Sequence, residues 1–413
     1  MKRQPGGRTR SLRNHFVRFA PVLVALFWVG TAQAQGVELT FGVGFRAESD
    51  SNPGLVPDSP GFVTQVGADL TFGLLSETRS ASLALGASGK VVASTGPGNP
   101  ASGLVDPSFT LAYVRTAATA EFTIDASIED TDVATDAGVD DFTTGTGTQR
   151  TAKLAVGLTW GQNGPLGFGL TADASSVNYS AESSPDLIDS RTLALGTQAR
   201  ADLSPVLHFD IAATKSRFMP EDRADRDTMS LLAGLTLDRP VGNFGVALGI
   251  DKTPDGRRSK LTFSREITLP AATLSYRFGA TRSVTGQVYA TGALNYAQDF
   301  PDSSFSFGLE RTVEASLETD SEIIESSASL NYSREITPRA NIVLTIDWAE
   351  QKTTGTNLSI ANTNLSAVWT QEITPDWSLD LGYSHRLRQD DTVGNGQSDA
   401  VFVEVRRAFT FRP

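Results

Sequence analysis

Over most of its length this sequence places apolar side chains at every second residue, and that period restricts the backbone it can adopt. Val66, Ala68, Leu70, Phe72 and Leu74 alternate with Gln65, Gly67, Asp69, Thr71 and Gly73. The spacing returns at Phe122, Ile124, Ala126 and Ile128; at Leu154, Val156, Leu158 and Trp160; at Leu207, Phe209 and Ile211; and at Phe244, Val246, Leu248 and Ile250. It recurs again at Ile342, Leu344, Ile346 and Trp348, and at Trp377, Leu379, Leu381 and Tyr383. A period of two belongs to strands with unlike faces, and no helical spacing persists over comparable lengths. The interleaved faces carry Asp125, Ser127, Lys153, Asp210, Thr345, Asp347, Ser378 and Asp380, a set suited to water and not to a dry core.

A second regularity punctuates the strands. Pro165, Pro205, Pro240, Pro270, Pro301, Pro338 and Pro375 each precede a new alternating run, at intervals that mark an internal repeat. The clearest copies are Ser264 to Pro270, Ser333 to Pro338 and Thr370 to Pro375, which share a Glu-Ile-Thr core. Proline lacks an N–H donor, so it belongs to the turn and not to the strands that the turn joins. One repeat holds two strands with a short and a longer connection, which is one hairpin. Two more tight turns, at Glu77 to Ser80 and Thr116 to Thr119, bring the number to nine. With both chain ends on the tight-turn side, nine turns imply 20 strands, and a miscount of one hairpin gives 18. The other connections read as longer and polar: Glu48 to Gly61, Ala93 to Asp106, Glu129 to Thr148, Ser180 to Ser190, Met219 to Asp227 and Gln389 to Asp399.

The environment of the apolar faces follows from strand length. Strands in soluble sandwiches have a mode of about 5 to 6 residues, whereas one crossing hydrocarbon at a tilt needs about 9 to 11, which these runs reach. The expectation is an all-β protein: a single closed antiparallel transmembrane β-barrel of about 18 to 20 strands, spanning residues 35–413. Trp160, Trp348, Trp377, Tyr383, Phe72 and Phe109 lie on the apolar register and are expected near strand ends, as an aromatic belt. The last run, with Val401, Val403, Val405, Phe409 and Phe411 on one face, reads as the closing strand.

The N-terminus supplies an address. Lys2, Arg3, Arg8, Arg10, Arg13 and Arg18 precede an apolar run from Phe19 to about Ala32, too short to span a bilayer and ending in Ala32-Gln33-Ala34. This reads as a secretory signal peptide, residues 1–34, cleaved after Ala34. Without those six basic residues, the 35 of the whole chain fall to 29 against 47 acidic ones, which disfavours nucleic acid as a partner. No cysteine is present, so disulfides, thiolate metal sites and cysteine nucleophiles are excluded.

A search for chemistry yields no catalytic, cofactor-binding or metal-ligating residue. Ser384 and His385 are adjacent, and adjacent strand residues point to opposite faces, so they cannot form a nucleophile and base. His208 reads as lining an interior, with Asp210 two residues on and on the same face. The acidic stretch from Glu129 through Asp136 to Asp141 has the composition of a calcium loop without its ligand spacing, and reads as a solvated loop. Arg257, Arg258, Arg265, Arg277, Arg282, Arg311, Arg386 and Arg388 are candidates for a charged constriction, though their positions in the wall are not legible.

The leader, the alternating chain, the aromatic last strand, the phrase Arg46-Ala-Glu-Ser-Asp-Ser-Asn-Pro53 and the repeated Glu-Ile-Thr-Pro turns together resemble bacterial outer-membrane β-barrel proteins, in particular the porin-like proteins of alphaproteobacteria. The resemblance implies insertion by the barrel-assembly machinery. Location in the cell outer membrane of a Gram-negative bacterium, contact with outer-membrane lipid and lipopolysaccharide, and, from the lack of a catalytic constellation, no enzymatic activity are the accompanying expectations. The expected function is porin-like passive transport of small polar solutes or ions. The alternative is a non-conducting barrel that serves as a secretion conduit, for instance in exopolysaccharide export, or as an envelope scaffold. In this resemblance the chain departs from the family at its end, where Arg412 and Pro413 follow the aromatic Phe411.

Overall fold

In a computed structural model of the chain, residues 36–97, 102–133, 142, 147–180, 187–315, 321–356 and 358–412 are described. The leader and its cleavage after Ala34 lie outside the described residues, as do Asp136, Asp140 and Asp141 of the acidic stretch.

Twenty strands form one sheet: β1 Gly36–Asp50, β2 Val63–Glu77, β3 Ala81–Thr95, β4 Gly103–Thr116, β5 Ala120–Asp132, β6 Thr148–Trp160, β7 Leu166–Ser180, β8 Ser190–Ser204, β9 Leu207–Pro220, β10 Arg226–Arg239, β11 Gly242–Thr253, β12 Gly256–Leu269, β13 Ala272–Arg282, β14 Val288–Asp299, β15 Ser303–Ala315, β16 Glu322–Thr337, β17 Ala340–Thr353, β18 Ser359–Thr374, β19 Trp377–Asp390 and β20 Gly396–Phe411. Each pairs antiparallel with its sequence neighbours, and β1 also pairs with β20 from Leu39↔Phe411 to Asp50↔Ala400, so the sheet closes on itself. At about 4.8 Å between strands and a tilt near 40°, twenty strands enclose a backbone cylinder roughly 40 Å across.

All nine expected tight turns are present and lie at one end. Five are two-residue turns that begin with proline: 205–206, 240–241, 270–271, 338–339 and 375–376. Proline's fixed φ suits the first turn position, and the position needs no donor. The turns are also tied to one another. Val206 O accepts from Asp238 N at 2.8 Å, Ala271 O from Asp299 N at 2.9 Å, and Arg339 O from Glu372 N at 2.7 Å, so each hairpin end caps the next strand.

The opposite end differs from expectation in one respect. Strands run into the segments read as loops, leaving connections as short as 221–225 and 254–255, with 133–147 the longest. A 15-residue strand such as β1 rises roughly 38 Å at this tilt, more than an apolar band about 25 Å tall, so strand ends project beyond the band and polar residues there remain paired.

The apolar residues sit on the outside. Phe45 is 58% exposed, Leu195 66%, Leu248 60% and Phe278 59%, while most of the buried apolar residues, among them Val63, Val133, Val313, Ile323 and Ile324, lie near the loop end, and among the described residues they form no central core. Such an inside-out surface is stable against hydrocarbon and unfavourable against water, at about 25 cal/mol per Å² of apolar area. The aromatic residues expected at strand ends do face outward, but only Trp160 and Trp377 lie at an end; Phe72, Phe109, Trp348 and Tyr383 sit within their strands. The outward aromatics gather at the tight-turn half. There Trp160 stacks on Phe168 at 5.7 Å, Arg265 covers Phe244 at 3.9 Å, and Arg407 lies over Trp377 and Phe409 at 5.3 and 4.4 Å.

The parity of the faces is testable. Leu248→Arg on the outer face should cost about 2–4 kcal/mol of unfolding free energy in lipid vesicles, measured by denaturant titration. Ala247→Arg, one residue away on the inner face, should change it by less than about 1 kcal/mol.

Candidate pore lumen

Alternation sends every second residue of the twenty strands inward, and a closed cylinder of this width does not bring those side chains into a packed core. Much of the inner wall is therefore built from small and hydroxylated residues. At Thr40↔Gly73, Gly42↔Thr71, Gly86↔Thr110, Thr123↔Gly157, Thr171↔Gly196 and Gly245↔Ser264, a hydroxyl on one strand leans over a glycine on the next and occupies the space a Cβ would take. The wall is kept low and polar, as a water-filled interior requires.

Charge is concentrated where the barrel closes. Across β19, β20 and β1, Asp380 is ion-paired with Arg406, Arg406 Nε lies 3.4 Å from Glu404 Oε1, Arg46 lies 3.5 Å from Glu404 Oε2, and Arg46 lies 2.6 Å from Glu48. Asp380 and Glu404 are direct cross-strand partners, so two like charges face each other with a guanidinium on either side. Thr370 Oγ1 donates to Asp380 at 2.6 Å, and the Asp380 side chain is nearly buried. The row continues through Asp69, whose neighbour Lys90 reaches Asp106 at 2.8 Å. This wall holds Arg46, Arg406 and Lys90 against Glu48, Glu404, Asp380, Asp69 and Asp106. Asp125, Asp173 and Asp210 share the inward parity of their strands.

Phe402 is an aromatic residue on the inner face. Arg46 stacks on its ring at 3.7 Å, and the ring lies flat across Gly382, where any side chain would collide with it. Gly382 is thus what allows the Phe402 ring and the Arg46 guanidinium to lie against the wall.

At the loop end, the segment Arg46 to Pro53, one of the phrases behind the resemblance, runs from the wall into the mouth and is tied to β19 and β20. Arg46 and Glu48 face inward from β1, Asp50 accepts from Arg386 at 2.6 Å, and Asn52 Nδ2 donates to Gln397 O at 3.0 Å and Val56 O at 2.8 Å. Arg386 also donates to Pro53 O at 3.2 Å, which draws the β1–β2 connection onto β19. Arg388 donates to Phe142 O at 2.9 Å, so the β5–β6 connection touches the inner face of β19. A second cluster lies on the opposite wall. The start of β16 brings Glu322 within 3.9 Å of Arg258 on β12, which donates to Val313 O at 3.2 Å and lies 3.8 Å from Asp251, itself 2.8 Å from Lys260. Val284 N donates to the same Glu322 carboxylate at 3.4 Å. The tips of β15 and β16 therefore lean over the shorter β13 and β14.

Of the eight arginines considered for a constriction, Arg258, Arg277, Arg386 and Arg388 face inward, and Arg257, Arg265, Arg282 and Arg311 face outward. Arg46, Arg200 and Arg406 were not among them. Their parity was readable from Phe45, Ala199 and Val405 beside them, and each has a partner two residues away on its own strand: Glu48, Asp202 and Glu404.

The histidines follow the same parity. His208 faces inward at the tight-turn rim, but its partners are Asp202 on β8 at 2.7 Å and Asp238 on β10 at 2.9 Å, and not Asp210. Asp210 is two residues along β9, whereas Asp202 and Asp238 lie on the flanking strands. His385 faces outward and meets Asp399 at 2.8 Å, with Tyr383 donating to the same carboxylate at 2.7 Å. Ser384 is on the other side of the wall, which rules out a hydrolase pair. Among the described residues no group of three or more acidic or histidine side chains is placed to hold a metal ion. In the acidic stretch, Asp130 is engaged by Arg150 in a bidentate pair at 2.6 Å.

Replacing Gly382 by alanine should force Phe402 from its place and destabilise the folded barrel by about 1–3 kcal/mol, read by denaturant titration in vesicles. Adding Phe402→Leu to the same chain should recover most of that loss.

No family model matches this chain, and no curated protein matches it in sequence. Among solved structures it is similar to the FrpB iron transporter from Neisseria meningitidis, with 8% identity, a TM-score of 0.51, and 92% of this chain and 82% of that one covered. It is also similar to the siderophore receptor PirA from Pseudomonas aeruginosa, with 9% identity, a TM-score of 0.47 and coverage of 90% and 80%. For the outer membrane protein opdK from the same organism the values are 10%, 0.40, 91% and 99%. At these identities the likeness concerns architecture, and its structural neighbours are bacterial outer-membrane β-barrel proteins.

Proposed function

We propose that this chain resides in the outer membrane of a Gram-negative bacterium and forms a porin-like channel for passive diffusion of small polar solutes, with a preference for cations. The observation that carries the reading is the inner wall. It is a continuous polar surface inside a closed barrel, lined by glycine–hydroxyl pairs and by a charge ladder in which carboxylates outnumber cations. Barrels of about 16 to 18 strands already leave an aqueous channel, and twenty make a wider cylinder. Rings of charge at a narrow point set ion selectivity, and an excess of carboxylates favours cations.

The same reading assigns the leader to export, and the aromatic last strand to recognition by the barrel-assembly machinery. In support, Phe409 and Phe411 both face outward on β20, and Arg412 is held beside β1 by Glu38 at 2.9 Å, so Arg412 does not disturb closure. A second reading, a conduit whose outer mouth is closed at rest, is favoured by two contacts: Arg388 with the Phe142 carbonyl, and Glu322 with Arg258. Both place loop-end segments over the lumen.

Planar-bilayer recording across a salt gradient tests the channel. Stable conductance steps with a reversal potential of cation-selective sign are expected. The double variant E48Q/D69N should move that potential toward zero while leaving the folded, heat-modifiable band on a gel unchanged. A folded barrel that never conducts would overturn the open pore and favour the closed conduit.

A further inference from the structure

The chain is acidic overall, yet its outer surface carries a compact basic field. Lys215 on β9, Arg217 also on β9, Lys252 on β11, Arg257 on β12 and Arg282 on β13 all share the parity of the exposed apolar residues beside them, and all five are exposed. They lie toward the loop end of their strands. The register shows how close they are. Lys215 and Lys252 flank Met229 on the strand between them, Lys252 and Arg257 are direct cross-strand partners, and Arg282 is diagonal to Arg257 through Ser259. On the outer face of these five strands the one carboxylate is Asp227, and it is held by Arg217 at 2.7 Å.

Like charges placed directly opposite across two strands destabilise a sheet. The inner wall meets this cost at Asp380 and Glu404 by adding guanidinium groups, but among the described residues no carboxylate is ion-paired with Lys252, Arg257 or Arg282. Toward the tight-turn side the field passes into Leu231, Leu248, Phe263 and Phe278, the two rings stacked at 5.5 Å. A surface that is apolar below and cationic above complements a molecule with acyl chains and an anionic head. Arginine and lysine meet phosphate oxygens well, and juxtamembrane cations attract anionic headgroups.

We infer that the outer face of β9 to β13 binds the phosphorylated headgroup of a lipid in the leaflet at the loop end, with Lys252, Arg257 and Arg282 contacting phosphate and Lys215 and Arg217 flanking it. This rests on the outer-membrane reading proposed above. It is independent of whether the lumen conducts.

The test uses the full mature barrel, folded in a nonionic detergent, with the thermal midpoint of the heat-modifiable band followed as lipopolysaccharide is added. The wild-type midpoint should rise, and the concentration giving half the rise should increase at least about tenfold in K252Q/R257Q/R282Q, since each such cation attracts an anionic surface. R311Q/K352Q, on the outer face of β15 and β17, should titrate like the wild type. Dephosphorylated lipopolysaccharide should give no rise, and neither should inorganic phosphate. In phosphate-free detergent, Lys252→Gln alone should raise the midpoint, because it removes a like-charge pair. Equal titration of the triple variant and the wild type, or equal response to the dephosphorylated lipid, would overturn the inference. So would a rise with inorganic phosphate, which would assign the field to a free anion. So would a lowered midpoint for Lys252→Gln. Failure of the outer-membrane reading looks different, because no heat-modifiable band would then form in any lipid or detergent.

Discussion

Everything in this structure depends on the pairing of the last strand with the first. An open sheet of nineteen pairings would still present the edges of β1 and β20, each a row of unpaired N–H and C=O groups, and in hydrocarbon every such group costs several kcal/mol. The run from Leu39↔Phe411 to Asp50↔Ala400 removes both edges at once. It also has a cost in chain entropy, because it joins segments separated by almost the entire sequence. The chain places a ladder of inward ion pairs at this seam. Arg46 on β1 meets Glu404 on β20, Arg406 meets Asp380 on β19, and Asp50 meets Arg386. The charge ladder that gives the lumen its character is also what ties the two ends of the sequence together.

Closure explains why the local pattern carries so much of the architecture. Once every strand must pair on both sides, a strand is defined by two turns, and the turns announce themselves. Five prolines open two-residue turns where the φ of proline fits and the missing N–H is not needed, Pro165 and Pro301 mark two slightly longer turns, and Glu77 to Ser80 and Thr116 to Thr119 complete the count of nine. What the sequence did not show was where the loop-end strands stop. Residues such as Glu48, Asp130 and Met219 are polar or flexible enough to read as loop, yet they extend strands past the apolar band because pairing with a neighbour satisfies their backbone groups whatever their side chains prefer.

The lumen was legible by parity and illegible by partnership. Leu261 and Phe263 face outward, so Arg257 and Arg265 must follow them and Arg258 must not; that sorting is available from spacing alone. No spacing announces that Arg258 meets Glu322, or that His208 is held by Asp202 and Asp238 instead of Asp210. Those contacts are set by register between strands, and register depends on irregularities that spacing hides. The shift between Ser88 and Lys90 on β3, and that between Asp202 and Ser204 on β8, each move neighbouring side chains by one position.

The same parity rule divides the charges of the protein between two environments. On β11 and β12, Asp251 lies between Arg258 and Lys260 on the lumen side and pairs with both, while Lys252 and Arg257, each one residue away from that set, face outward and have no ion pair among the described residues. A slip of one residue in either strand would exchange the two sets. It would place Leu248, Ile250, Leu261 and Phe263 in the water-suited interior and the Asp251–Lys260 pair against hydrocarbon. Neither exchange is tolerable, so the alternation that gives each strand its face also locks the register between strands. An acidic lumen and a basic outer field are therefore two consequences of one constraint.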